Sequence, residues 1–126
     1  MAKILIVDDS LVARMSLKSC IPKDQGYELF EAVNGQAALE IFPRIRPDVT
    51  FLDLTMPDIN GIQVMEALQK DFPQDIFIVL SADIQKQTKE KVMSMGAFAM
   101  IKKPPVKVVV QEELAKALVA AEGNHV

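Results

Sequence analysis

Four short apolar runs each stop on a polar residue. Ile4-Leu5-Ile6-Val7 stops on Asp8-Asp9, Val49-Thr50-Phe51-Leu52 on Asp53, and Ile76-Phe77-Ile78-Val79-Leu80 on Ser81. Phe98-Ala99-Met100-Ile101 is followed by Lys102-Lys103. These runs are continuously hydrophobic rather than alternating, the pattern of strands covered by helices on both faces. A weaker run, Tyr27 to Ala32, reads as an edge-like strand.

The intervening segments carry helical spacing, so the order reads as strand and helix in alternation. Ser10 is placed to cap a helix running to about Cys20 and stopped before Pro22. Asn34-Gly35 is a turn signal ahead of a helix bearing Ala37, Ala38, Ile41 and Phe42, which Pro43 is expected to end early. Met56 to Gly61 is a loop rich in turn residues. Ile62, Met65 and Leu68 make the apolar stripe of a third helix, ending before Pro73. Gln85 to Met95 reads as a polar, Lys-rich helix with few large apolar positions, stopped at Gly96. Val110, Leu114, Ala117, Leu118 and Ala121 form the stripe of the last helix. Its β-branched start, Val106 to Val110, offers no capping residue and leaves the boundary open.

The pattern predicts an α/β fold: a flavodoxin-like (βα)5 doubly wound parallel sheet with strand order 2-1-3-4-5. Residues 1–121 are expected to be one domain, with 122–126 a C-terminal tail. In such a sheet the C-terminal strand ends share one edge, and ligands bind there. The switch point falls between the first and third strands, at Asp8-Asp9 and Asp53.

Composition narrows the function classes. A chain of 126 residues suits a single domain with a real core. Net charge is -3, from 14 Lys+Arg against 17 Asp+Glu, which speaks against a nucleic-acid-binding face. No apolar run reaches the roughly 18 residues of a membrane helix. The N-terminus enters the first strand directly, leaving no room for a signal peptide. Cys20 is the single cysteine, which excludes an internal disulfide and a multi-cysteine metal site. His125 is the single histidine, which argues against a Ser-His-Asp triad or a histidine metal cluster. The expectation is a cytoplasmic, reduced, monomer-sized domain.

Asp53 stands where a carboxylate serves as nucleophile, and carboxylates form aspartyl phosphates. Attack on phosphorus needs positioning and neutralisation of the phosphoryl oxygens more than covalent machinery. Two further carboxylates beside Asp53 would repel the phosphate, and a divalent cation resolves that conflict. Asp8 and Asp9 are hard oxygen ligands suited to Mg2+, which would act as Lewis acid and template. Lys103 offers a mobile positive charge and Ser81 a hydroxyl donor. Pro104 permits a cis peptide that would aim the lysine into the crevice.

Each part also has an ordinary reading. Asp8-Asp9-Ser10 suits a plain helix N-terminus. Ser81 suits a loop, Lys102-Lys103 a solvated pair, and Met56-Pro57-Asp58 a simple turn. Met93, Met95 and Met100 suit packing, and Cys20 a small buried position. Their conjunction on one edge favours a metal-dependent phosphate site.

The ordered motifs around Asp8-Asp9-Ser10, Asn34-Gly35, Asp53-Leu-Thr-Met56-Pro57-Asp58-Ile-Asn-Gly61, Ser81-Ala82 and Gly96-Ala97 to Lys103-Pro104 resemble the receiver domain of two-component response regulators. The resemblance runs from about Lys3 to Ala121. It implies that Asp53 accepts a phosphoryl group from the phosphohistidine of a sensor histidine kinase or phosphotransfer protein. It implies Mg2+ bound by Asp9, Asp53 and the Thr55 carbonyl, and by Asp8 through water. It implies contacts from Ser81 and Lys103 to the phosphoryl group, and catalysis limited to the domain's own phosphorylation and dephosphorylation. The expected output is protein binding, to the flagellar motor or another effector, by a monomer or a weak phosphorylation-dependent dimer. A receiver portion of a longer regulator is the alternative.

Three positions depart from the family pattern. Met100 often corresponds to an aromatic residue whose rotation follows the Ser81 hydroxyl, so that version of the switch does not operate here. Pro105 and the valines after it change the start of the last helix. Thr55 and Asp83 flank the site where dephosphorylation is tuned. A haloacid-dehalogenase-type phosphatase fits less well, because its motif places a second Asp two residues after the nucleophile, where Thr55 stands. A flavodoxin fits less well too, because Asp8-Asp9 would repel a flavin phosphate.

Overall fold

The computed structural model describes residues 1–123. Five strands alternate with five helices: β1 (Lys3–Val7), α1 (Leu11–Cys20), β2 (Glu28–Ala32), α2 (Gly35–Ile45), β3 (Val49–Asp53), α3 (Gly61–Asp71), β4 (Ile76–Ser81), α4 (Lys86–Ser94), β5 (Ala99–Lys102) and α5 (Lys107–Gly123). All strand pairs are parallel, in the order β2-β1-β3-β4-β5. The flavodoxin-like architecture read from the apolar runs is therefore the one observed.

The strand pleat divides the core into two layers. Ile4 and Ile6 of β1 join Phe51 and Ile78 beneath α1 and α5, whose Leu17, Val110, Leu114, Ala117 and Ala121 close that face. Leu5 and Val7 join Leu52, Phe77 and Val79 on the other face, under Ala38, Phe42, Val64, Met65, Leu68 and Val92. Alternate side chains point to opposite faces, so two helical layers favour apolar residues at nearly every position of a central strand, with Thr50 a buried exception in β3. β2 lies at an edge and is buried only at Ala32, as its weaker pattern foretells.

Helix ends follow local chemistry. The Ser10 side chain accepts from Ala13 N–H, the Asn34 side chain from Ala37 N–H, and Asn60 and Gln63 form a reciprocal capping box. Gly96 takes a left-handed φ of 100° just past α4, the stop anticipated there.

Several boundaries differ from expectation. α2 does not end early at Pro43 but continues to Ile45. The proline stands in the last turn, so it removes a single bond, to the Leu39 carbonyl. Phe42 anchors that turn, fully buried, with its ring 5.2 Å from Phe72 and 5.9 Å from Phe77. Burial of such a ring is worth about 2–3 kcal/mol against about 1 kcal/mol for the lost bond. Arg46 then closes the helix at a φ of 47°, donating its N–H to the Phe42 carbonyl. In α3 the buried stripe includes Val64, while Ile62 is only half-buried. Met93 is exposed rather than packed, whereas Met95 and Met100 lean on the second layer. α5 includes Glu122 and Gly123. His125 and the rest of the expected tail lie outside the described residues. No described helix is long and apolar enough to cross a membrane.

Candidate functional site: an acidic crevice at the C-terminal strand edge

The parallel topology carries the ends of β1, β3, β4 and β5 to one edge. Asp53 is the last residue of β3 and is buried. Asp8 follows β1 directly, and its own N–H donates to the Ala32 carbonyl at 3.2 Å, continuing the pairing with β2 by one step. Asp8 is also buried, while Asp9 is exposed. One carboxylate oxygen from each of Asp8, Asp9 and Asp53 lies within 4.8 Å of the others.

The two adjacent lysines have different fates. Lys102 ends β5 and is exposed, whereas Lys103 turns into the crevice. Its Nζ lies 2.7 Å from Asp8 Oδ2 and 3.2 Å from Asp53 Oδ1. Lys103 N–H donates to the Ser81 carbonyl at 2.9 Å, which ties the lysine to the end of β4. The Lys103-Pro104 peptide is cis. Ser81 is buried, and its Oγ accepts Asp83 N–H at 3.0 Å. Thr55 is exposed, and its backbone N–H donates to the Asp53 carboxylate.

Charge and burial set the protonation tendencies. Burial pushes the Asp53 carboxyl above its ordinary value, and the negative Asp8 adds to that rise; Lys103 and the Thr55 N–H offset it in part. Burial works against the Lys103 ammonium, but hydrogen bonds and attraction from Asp8 and Asp53 outweigh it and hold the lysine above its usual value. One ammonium among three carboxylates leaves the crevice with an excess of negative charge. A cluster of hard carboxylate oxygens with that excess suits a divalent cation such as Mg2+.

Three supports of the site were not legible as such in the sequence. Gly61 opens α3 against the end of β3, where an added Cβ would lie 2.4 Å from the Asp53 carbonyl oxygen and 2.8 Å from Leu54 Cα. Asp58, read as part of a simple turn, accepts Gly35 N–H at 3.2 Å and Gln36 N–H at 3.0 Å, so it fastens the loop after Asp53 to the start of α2. Those helix-terminal N–H groups, Gln36 first, hold its carboxyl below the usual range. Arg14 is buried beside the β1–α1 turn and donates from Nη1 to the Asp8 carbonyl at 2.9 Å. A turn-residue pattern signals the first two positions weakly; nothing local signals the third.

Comparison with known proteins agrees with this geometry. Residues 4–118 match the response regulator receiver domain family. The chemotaxis protein CheY of Thermotoga maritima is 40% identical over 81% of this chain and 85% of its own length. A protein-glutamate methylesterase/protein-glutamine glutaminase of Methanospirillum hungatei is 32% identical over 83% of this chain, which spans only 31% of that longer protein. The crystallised CheY4 of Vibrio cholerae superposes with a TM-score of 0.85 at 28% identity, covering 94% of this chain and 99% of the other. The family match spans the whole sheet and every element that feeds the acidic crevice, and the chain belongs to the response regulator receiver domains, a family of signalling modules whose partners include a kinase.

Proposed function

We propose that this domain is a phosphorylation-dependent switch in which Asp53 takes a phosphoryl group from a protein phosphohistidine. A carboxylate oxygen of Asp53 attacks phosphorus, the P–N bond breaks, and the departing imidazole keeps the electron pair and takes up a proton. The observation that carries this reading is Lys103 Nζ bridging Asp8 and Asp53 with the Asp9 carboxylate alongside. Such a crevice combines a nucleophile, a cation-binding carboxylate pair and an ammonium.

The residues fit Mg2+. Asp9, Asp53 and the Thr55 carbonyl would hold it, with Asp8 acting through water. When bound, the ion supplies neutralisation of the phosphoryl oxygens and of the acidic pair. Lys103 uses two of its three ammonium hydrogens on Asp8 and Asp53, and the third serves a phosphoryl oxygen. The Ser81 oxygen accepts from Asp83, which leaves the hydroxyl hydrogen to donate to the same group. The unit that acts is residues 1–121, in the cytoplasm, as a monomer or a weak phosphorylation-dependent dimer.

The output is binding to another protein, the flagellar motor or another effector. Met100 is half-buried in β5, and an aromatic rotation has no counterpart there. Ser81 instead connects to α4 through Asp83, whose Oδ1 accepts Gln85 N–H at 3.0 Å and whose Oδ2 accepts from Thr88 Oγ1 at 3.3 Å. Val92 is the one residue that α4 buries, so movement of this loop and helix costs little core.

Intact-mass measurement after incubation with acetyl phosphate and Mg2+ tests the proposal. Wild type gains one acid-labile phosphoryl group and Asp53→Asn gains none. Equal labelling of both proteins sinks the assignment.

A further inference from the structure

Arg14 is a buried charged residue beside the acidic crevice that the proposed chemistry leaves without a task. Its side chain is only 10% exposed, although it belongs to the first turns of an otherwise amphipathic helix. The guanidinium is a fork with two engaged tines. Nε donates to Glu31 Oε1 at 3.0 Å, and Nη1 donates to the Asp8 backbone carbonyl at 2.9 Å. Glu31 is itself held from the other side by Lys18 Nζ at 3.1 Å. Burial would raise the Glu31 carboxyl, but Lys18 and Arg14 outweigh it and keep the group below its ordinary value, so the anchor stays charged.

The carbonyl that Arg14 grips has no strand partner to grip it. β1 pairs with β2 as far as Val7↔Ala32 and with β3 as far as Val7↔Leu52, and there the ladders stop. The Asp8 carbonyl also lies in the peptide plane that joins Asp8 to Asp9. Fixing that oxygen fixes the plane, and with it the directions in which both side chains leave the backbone. Asp8 has further guides, since Ser10 N–H donates to its Oδ1 at 3.0 Å and Lys103 takes its Oδ2. Asp9 has none: among the described residues no group hydrogen-bonds its carboxylate, so its aim depends on the backbone alone.

We propose that Arg14 is a positioning residue for the cation site: it clamps the Asp8–Asp9 peptide to Glu31 on the edge strand and so aims the two carboxylates into the crevice. This rests on the reading of Asp8 and Asp9 as Mg2+ ligands. The bridge between two acceptors on different residues explains why an arginine stands here, because a lysine ammonium is a point charge that does not reproduce the planar fork.

Simple electrostatics makes the opposite forecast, which gives the test its sign. A buried positive charge close to a cation site disfavours the cation, so removing it should tighten Mg2+ binding if Arg14 acted through charge. Removal of a clamp should weaken binding, by about tenfold or more, as for other groups that orient metal ligands. A purely structural role would lower the unfolding midpoint and leave the Mg2+ affinity of the folded protein unchanged.

Calorimetric titration with Mg2+ of wild type, Arg14→Met and Glu31→Gln distinguishes these cases, with each protein held well below its unfolding midpoint as followed by circular dichroism. The expected result is a loss of about tenfold for Arg14→Met and a smaller loss for Glu31→Gln, which keeps an acceptor but gives up its charge. Unchanged or tighter binding in both variants overturns the clamp. If Arg14→Met does not fold, Glu31→Gln decides alone, with weakened binding expected and unchanged binding fatal. Wild type that binds no Mg2+ overturns the underlying metal reading instead, so the two failures are distinct.

Discussion

Asp53 and Asp8 are two buried carboxylates that coexist because Lys103 reaches both of them. The compensation is incomplete, since burial and the Asp8 charge still leave the Asp53 carboxyl above its ordinary value. The folded state therefore binds that proton more tightly than the unfolded chain does. The favourable contribution is complete at pH below the usual carboxylate value and is lost as pH rises through the elevated folded value. Lys103, also raised, owes its elevation to the charged Asp8 and Asp53 and loses its stabilising contribution at the alkaline end as pH passes its elevated value. Ionised Asp53 consequently opposes folding near neutrality. Asp53→Asn is expected to be more stable than wild type by about 1 kcal/mol at pH 7 without Mg2+. The difference should shrink as pH falls toward about 3, where Asp53 is protonated. Thermal denaturation across that range checks it, and equal midpoints at pH 7 would mean that Lys103 cancels the burial cost outright.

The elements explain which parts of the site the sequence discloses. β1, β3 and β4 are legible because both faces are covered, so their buried positions are almost all apolar, Thr50 apart, and the polar residue that ends each run stands out. Pro43 misleads because a local rule about lost hydrogen bonds omits the ring cluster that holds Phe42. Arg14 and Asp58 are hidden for a related reason. Their partners, Glu31 and the N–H groups of Gly35 and Gln36, are 17, 23 and 22 residues away, so neither helical spacing nor turn chemistry reveals the contact. Gly61 lies between these extremes, since it reads as a turn residue while its real constraint is the backbone of β3. An added methyl there meets the Asp53 carbonyl and Leu54 Cα, both main-chain atoms that yield only if the strand end shifts. Gly61→Ala is thus expected to cost about 2 kcal/mol of stability, despite the better helix propensity of alanine, and to slow phosphoryl uptake at Asp53. Denaturant unfolding and the rate of mass gain from acetyl phosphate measure the two effects. A variant as stable and as quickly labelled as wild type would show that α3 does not brace the acceptor.

At the scale of the whole molecule, the parallel sheet ties a local ion site to global stability. The three carboxylates arrive from the ends of two different strands, β1 and β3, so a cation held there joins segments that are separate in the chain, and Lys103, 95 residues from Asp8, closes the same crevice from a third. Unfolding disperses them, and the ion binds the folded state alone. Mg2+ at about ten times its dissociation constant should therefore add about 1.4 kcal/mol, on the order of 5 °C in midpoint for a domain of this size. Asp9 separates this linkage from ordinary packing. It is exposed and its carboxylate has no hydrogen-bond partner among the described residues, so Asp9→Ala should leave the metal-free midpoint within about 0.5 kcal/mol of wild type. The same substitution removes a proposed Mg2+ ligand, and the rise with added Mg2+ should largely vanish. Paired thermal scans of wild type and Asp9→Ala, with and without Mg2+, measure both quantities. An undiminished Mg2+ shift in the variant would remove Asp9 from the metal shell, while a large metal-free loss would give it a structural task that its exposure does not suggest.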